Sequence, residues 1–132
     1  MNYLVDTDWV ADYLTGQPGA TALFSRLLPN GIAISIITFT EIYEGIYTSR
    51  DPKAAEPVFR ALLRGLAVVG INRTVAKRHA QLRGQLRQQR QPVAHRALDL
   101  LIAATALAHD LILVTRNLRH YDDIPDMRLY EL

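Results

Sequence analysis

Four oxygen-bearing side chains stand at comparable places along this chain: Asp6, Glu41, Asp99 and Asn117. Asp6 ends the apolar run Tyr3-Leu4-Val5, and Glu41 lies just past the run Ile32 to Ile37. Asp99 opens the apolar stretch Leu100 to Ala104, and Asn117 follows Leu111-Ile112-Leu113-Val114-Thr115. A polar group at the end of a buried strand, or at the start of the next helix, sits where open α/β sheets bind their ligands. Brought together at such an edge, the four form a hard-oxygen pocket suited to Mg²⁺ or Mn²⁺. Clustered carboxylates repel one another, and a divalent ion removes that repulsion. Such an ion also polarises a phosphoryl oxygen, lowers the pKa of bound water and stabilises a leaving oxyanion. Those roles together describe phosphodiester hydrolysis. No other nucleophile competes: the chain has no cysteine, and no serine has an evident base partner.

Each of the four also has a structural explanation. Asp6 can cap a helix. Thr38-Phe39-Thr40-Glu41 fits a capping box, in which Glu41 reaches back to its own helix start. Asp99 is favoured by the dipole at a helix N-terminus, and Asn117 can cap a short turn. Joint placement weighs against four separate explanations. Asp99 is the sharpest case, because it leads a helix otherwise so apolar that a charge near its buried side needs a partner. The four histidines do not form a zinc set. His79 falls on a helical stripe, His109 at a helix end, and His95 and His120 in loops. His120 follows Asn117 by three residues and can reach the edge of the site.

The elements that must position these groups follow from periodicity. Strands are expected at Asn2 to Val5, Ile32 to Ser35, Ala67 to Gly70 and Leu111 to Thr115, with a last edge strand at Met127 to Tyr130. Helices are expected at Thr7 to Leu14, Ala20 to Leu28, Thr38 to Tyr47, about Lys53 to Leu66, Thr74 to Gln89 and Leu98 to Ala108. Alternating strands and helices predict a parallel sheet of about five short strands, flanked by helices with right-handed crossovers. A length of 132 residues predicts one domain over 1–132, and 49% hydrophobic content is enough for a real core. No apolar run approaches the ~18 residues of a membrane span, and Asp6 and Asp8 interrupt what would be a secretory signal. The expectation is a cytoplasmic protein without a membrane partner.

The net charge of +2 conceals a strong asymmetry. Residues 1–56 carry three basic and seven acidic side chains, and residues 99–132 carry three and six. Residues 57–98 carry nine basic side chains and no acid. Arginine dominates this block, and its planar fork suits phosphate. A basic face beside an acidic site is an electrostatic footprint for nucleic acid. A solvated helix face is the plainer alternative. Arg83, Arg87 and Arg90, with Arg96 nearby and Arg116 beside Asn117, are the candidate contacts to nucleic-acid phosphates.

At this point the sequence resembles a known family. Leu4-Val5-Asp6-Thr7-Asp8 resembles the "LLDTN" opening of PIN domains, and Thr38 to Gly45 resembles their "T-x-x-E-x-x-x-G". Asp99 to Ala106 matches "DLLIAATA", Leu113 to Asn117 matches "LVTRN", and Ile124-Pro125 follows near the end. The motifs keep their order over essentially the whole chain. The short length points to the VapC-type toxins of toxin–antitoxin pairs. The resemblance implies a PIN-like three-layer fold and a Mg²⁺- or Mn²⁺-dependent endoribonuclease. Asp6, Glu41 and Asp99 would be the metal-binding acids, Asn117 would stand for a fourth ligand that is often Asp, and Thr115 would support Asp6 or a bound water. It further implies a homodimer and a VapB-like antitoxin that covers the site in a hetero-oligomer. Asp8 stands where the family usually has Asn, adding a charge near the site; Asn117, by contrast, is neutral, which weakens a second metal position, and Ala94 to Leu98 lacks an Asp that often precedes the main one. One ion is therefore expected rather than two.

Two other readings compete. Asp6-Thr7-Asp8 also resembles the D-x-D opening of haloacid-dehalogenase-type phosphatases, with Asp122-Asp123 as a downstream acidic pair. No lysine follows Lys77, however, and those enzymes need one. A non-catalytic PIN-like RNA-binding module would keep the basic face without turnover.

Overall fold

The computed structural model describes residues 1–132. Its core is a parallel sheet of four strands: β1 (Tyr3–Val5), β2 (Ile32–Ser35), β3 (Ala67–Val69) and β4 (Ile112–Val114), in the order β3-β2-β1-β4. Six helices flank it: α1 (Thr7–Leu14), α2 (Pro18–Leu27), α3 (Ile36–Tyr47), α4 (Pro52–Leu63), α5 (Arg73–Gln88) and α6 (Ala97–Ala108). Short 3-10 turns lie at Leu28–Asn30 and Leu118–His120. The chain runs outward from β1 through β2 to β3, then returns to add β4 on the other side of β1. That reversal opens a crevice at the carboxyl ends of β1 and β4, the place where such sheets take ligands.

The strands alternate sides with a period of two, and each face has its own core. Leu4, Ala33 and Leu113 face α5 and α6, packing against Leu82, Leu86, Leu100 and Ala103. Val5, Ile32, Ile34 and Val114 face the other way, onto Val10, Leu23, Phe24, Ile42 and Phe59. Both faces of the sheet are therefore covered, as an all-parallel sheet requires. In α6, Ala103, Ala104 and Ala106 are wholly buried. The helix is apolar nearly all round because it lies between the sheet and α5.

The expected fifth strand does not form. Around Leu129 the chain makes a single parallel bridge to Leu113, with Leu113 N–H bonded to Arg128 O and Tyr130 N–H to Leu113 O, each at 2.9 Å. The approach runs through Pro125 and through Asp126 at φ 63, which keeps the preceding backbone out of an extended ladder. The sheet is thus four-stranded. The start of α3 also differs from expectation. Ser35 caps it, its Oγ accepting from Thr38 N–H at 3.0 Å, so the helix begins at Ile36 rather than Thr38. No helix is long and apolar enough to cross a membrane.

Candidate active site

Asp6 leaves β1 at its carboxyl end and caps α1, Oδ1 accepting from Thr7 N–H at 2.8 Å. Its Oδ2 accepts from the Thr115 hydroxyl at 2.7 Å. Only 6% of Asp6 is exposed. Burial raises its carboxyl pKa above the ordinary value, and the negative charges of Asp8 and Asp99 push the same way; the bonds from Thr115 and Thr7 oppose them. Capping explains one of its oxygens. It does not explain why a buried carboxylate faces other acids without a basic side chain paired to it.

Glu41 is freed from the capping role by the early start of α3. It lies in the second turn, half-buried, and Oε1 accepts from the Thr7 hydroxyl at 2.7 Å. The Thr7 hydroxyl also lies 3.0 Å from that of Thr38, which is buried and 3.4 Å from Ser35 Oγ. With the Thr7 proton given to Glu41, Thr38 must supply its own to Thr7. This hydroxyl chain links the starts of α1 and α3 to one carboxylate; Thr7 and Thr38 both stand in the family motifs, but the motifs do not disclose that they bond to each other.

Asp99 occupies the first turn of α6. His120 Nδ1 lies 3.0 Å from Oδ2, and the Tyr121 hydroxyl donates to Oδ1 at 3.4 Å. Tyr121 is buried to 1% exposure. Its phenol pKa is pushed far up, first by burial and then by the charges of Asp6, Asp99 and Glu41. The charges of all three acids are thus felt at one phenol. Tyr121 is absent from the sequence-based set, because an apolar-looking aromatic after a loop gives no sign of lying against an acid from another element.

Asn117 follows β4, and its backbone N–H bonds Thr115 Oγ1 at 3.0 Å. Its side-chain amide donates to Asp8 Oδ2 at 3.1 Å, instead of capping the turn it begins. The Asp8 carboxylate is thereby held beside the other acids. Among the arginines, Arg87 and Arg90 are exposed and Arg83 is half-buried, all on or just beyond α5. Arg116 is ion-paired with Asp12, its guanidinium 3.9 Å over the Trp9 ring. Arg96 is bound to Asp123.

The donor set is made of hard oxygens, with His120 the one basic group against it. No group of three His, Cys, Asp or Glu side chains stands close enough together to hold a metal ion by itself. An ion here would have to keep several waters and take only one or two carboxylates directly, as Mg²⁺ does.

The PIN domain family profile matches residues 3–125. This chain belongs to the PIN-domain family. Among PIN-domain relatives, the chain is 35% identical to Ribonuclease VapC19 of Mycobacterium tuberculosis, with 95% of this chain and 96% of that protein covered. The crystal structure of VapBC2 from Rickettsia felis, bound to a DNA fragment from their promoter, superposes with a TM-score of 0.88 at 25% identity. It covers 100% of this chain and 99% of that one. A toxin-antitoxin complex from Klebsiella pneumoniae superposes with a TM-score of 0.77 at 28% identity, covering 99% and 100%. The match spans the PIN fold from end to end and places the chain in its VapC branch.

Proposed function

We propose that this protein is a divalent-metal-dependent endoribonuclease and the toxin of a VapBC-type toxin–antitoxin pair. The observation that carries the reading is that Thr7 bonds both Asp6, through its N–H, and Glu41, through its hydroxyl, which sets two acids of different elements side by side at the end of β1, with the charge of Asp99 near enough to raise the Asp6 pKa. Relatives named as a ribonuclease and as a toxin-antitoxin complex support the same reading. Asp6, Glu41 and Asp99 would hold Mg²⁺ or Mn²⁺, directly or through water. When bound, the ion supplies polarisation of the phosphoryl oxygen, a lowered pKa for attacking water and charge stabilisation for the leaving oxygen.

The protein's own residues prepare that event. Thr115 fixes the plane of the Asp6 carboxylate, and Thr7 fixes Glu41. Tyr121 and His120 hold Asp99 from one side, leaving its remaining lone pairs for water or ion. Asn117, tied to Asp8, orients a water at the rim. The exposed Arg87 and Arg90, with Arg83, hold RNA phosphates along α5. A homodimer and a VapB-like antitoxin complete the assembly in this reading. The phosphatase alternative has little support, because Asp123 of its acidic pair is bound by Arg96 and the last lysine of the chain, Lys77, is on α5.

The test is cleavage of total cellular RNA by purified protein, with chelator, Mg²⁺ or Mn²⁺. The expected result is ion-dependent cleavage that Asp99→Asn abolishes. Cleavage that survives both chelation and Asp99→Asn overturns the reading.

A further inference from the structure

Arg96 stands three positions before Asp99, in the loop that leads into α6. Its two terminal nitrogens donate to the two oxygens of Asp123 at 2.8 and 2.7 Å, a bidentate fork. The same nitrogens also donate to the main-chain carbonyls of Pro92, at 2.8 Å, and of His120, at 2.9 Å. The ion pair is largely shielded, with side-chain exposures of 16% and 21%. The contact with Asp123 raises the arginine pKa and lowers that of Asp123, so both stay charged. Charge-assisted forks of this kind fix geometry as well as adding stability.

The clamp joins two segments that together surround Asp99. One is the loop from Pro92 to Arg96, which sets where α6 begins. The other runs from His120 to Asp123 and carries both groups that touch Asp99, His120 and Tyr121. The loop is also strained: His95, next to Arg96, has φ 62, a left-handed conformation that a side-chain-bearing residue keeps only when its surroundings over-determine it. Arg96 has no capping bond of its own to α6, so its attachment to the facing segment is what ties down the helix start.

We propose that Arg96 is a positioning residue for Asp99, its clamp on Asp123 and on the Pro92 and His120 carbonyls setting where the Asp99 carboxylate stands. The proposal rests on the reading of Asp99 as a metal-binding acid. It gives Arg96 a different task from the phosphate contact that its place in the basic block suggests, because both forks of its guanidinium are already committed within the protein. Lysine cannot replace it, since an ammonium cannot make a planar fork and reach two carbonyls together.

The experiment uses the full chain and four variants: Arg96→Ala, Arg96→Lys, Asp123→Asn and the double variant Arg96→Ala/Asp123→Asn. Each is measured for RNA-cleavage kcat and KM, for Mn²⁺ affinity by calorimetric titration without RNA, and for melting temperature. Loss of the clamp is expected to lower kcat roughly 10- to 100-fold, as a small misplacement of a reacting group does. KM should stay within about twofold, because the substrate contacts are untouched. Mn²⁺ affinity should weaken in every variant, and the double variant should be no worse than the poorer single one, because all remove one unit. Arg96→Lys keeps the charge and the fold and should still show the kcat loss; it decides the matter if Arg96→Ala does not fold. Arg128→Ala, which removes the remote ion pair with Asp110, should behave as wild type. A folded Arg96→Lys with wild-type kcat and Mn²⁺ affinity overturns the proposal. So does a rise in KM at unchanged kcat, which would mark a phosphate contact. If Asp99→Asn retains wild-type cleavage, the site reading fails; if Asp99→Asn is inactive while Arg96→Lys is unaffected, the clamp alone fails.

Discussion

The Thr115 hydroxyl donates to Asp6 Oδ2 at 2.7 Å, across 109 residues of sequence. The bond joins the carboxyl ends of β4 and β1, the two strands on either side of the chain reversal. It is also among the few interactions that favour the charged form of Asp6 against burial and neighbouring acids. Replacing Thr115 with Val keeps the shape and removes the donor. A buried carboxylate oxygen then loses its partner, which costs about 1–3 kcal/mol. Thr115→Val is expected to lower the unfolding free energy by that order and to cut cleavage about tenfold, while Thr115→Ser retains most of both. Denaturant unfolding and single-turnover cleavage check the two effects.

Asp6 itself costs the metal-free protein stability. Its carboxyl pKa lies above the ordinary value near 3.8, mainly through burial. An acid whose folded pKa is raised binds its proton more tightly when folded, so its ionisation opposes folding. The penalty is absent below about pH 3.8, grows as pH rises through the raised folded value, and is complete above it. Asparagine keeps the helix cap and carries no charge. Asp6→Asn is therefore expected to stabilise the metal-free protein at pH 7 by about 0.5–2 kcal/mol, a gain typical of relieving a functional site, and to abolish cleavage. The gain should shrink as the pH of the melt is lowered toward 4. A variant less stable than wild type at pH 7 would show that the carboxylate is compensated by another interaction.

The exposed arginines at the end of α5 make a separate prediction. Arg87 and Arg90 have no acidic partner, unlike Arg96 and Arg116. Replacing both with Ala should raise KM at nearly constant kcat and weaken RNA binding to a similar degree for every sequence. The slope of log affinity against log salt should fall by about 0.7 for each single-strand phosphate that is no longer neutralised. A binding titration at several salt concentrations gives that slope, and an unchanged slope would remove these residues from the RNA path.

Much of this arrangement is legible in the sequence because it rests on local pattern. Alternating Leu4 and Val5, or Ala33 and Ile34, record which face of the sheet each residue covers. Asp6 falls where a buried strand gives way to polar chain, and Glu41 and Asp99 fall in the opening turns of helices. What the sequence does not disclose depends on pairing across distance. Arg96 reads as one more cation of a basic block, and its fork on Asp123 exists only because the fold brings residues 27 apart into contact. No sequence pattern marks Tyr121, which is buried with its hydroxyl on Asp99. Glu41 reads as a capping-box acid until Ser35 takes the cap and moves the helix start back. Apolar alternation suggests a strand at Met127 to Tyr130, but one bridge to Leu113 is all that forms.

A divalent ion should reverse the instability that the acids create. An ion that binds the folded chain and not the unfolded one stabilises it by RT ln(1 + [L]/Kd), about 2.7 kcal/mol at a concentration a hundred times Kd. Mn²⁺ or Mg²⁺ is therefore expected to raise the melting temperature in a saturable way, with no RNA present. Asp99→Asn and Asp6→Asn should each abolish most of that rise, because in the proposed reading each removes a carboxylate that holds the ion. The two variants should differ in their starting points. Asp6→Asn begins above the metal-free wild type, since it relieves a buried charge. Asp99→Asn should begin nearer to it, since Asp99 has His120 beside it and a side chain 34% exposed. Equal rises in wild type and both variants would mean that the ions bind elsewhere on the surface, and the acidic edge would lose its standing as the metal centre.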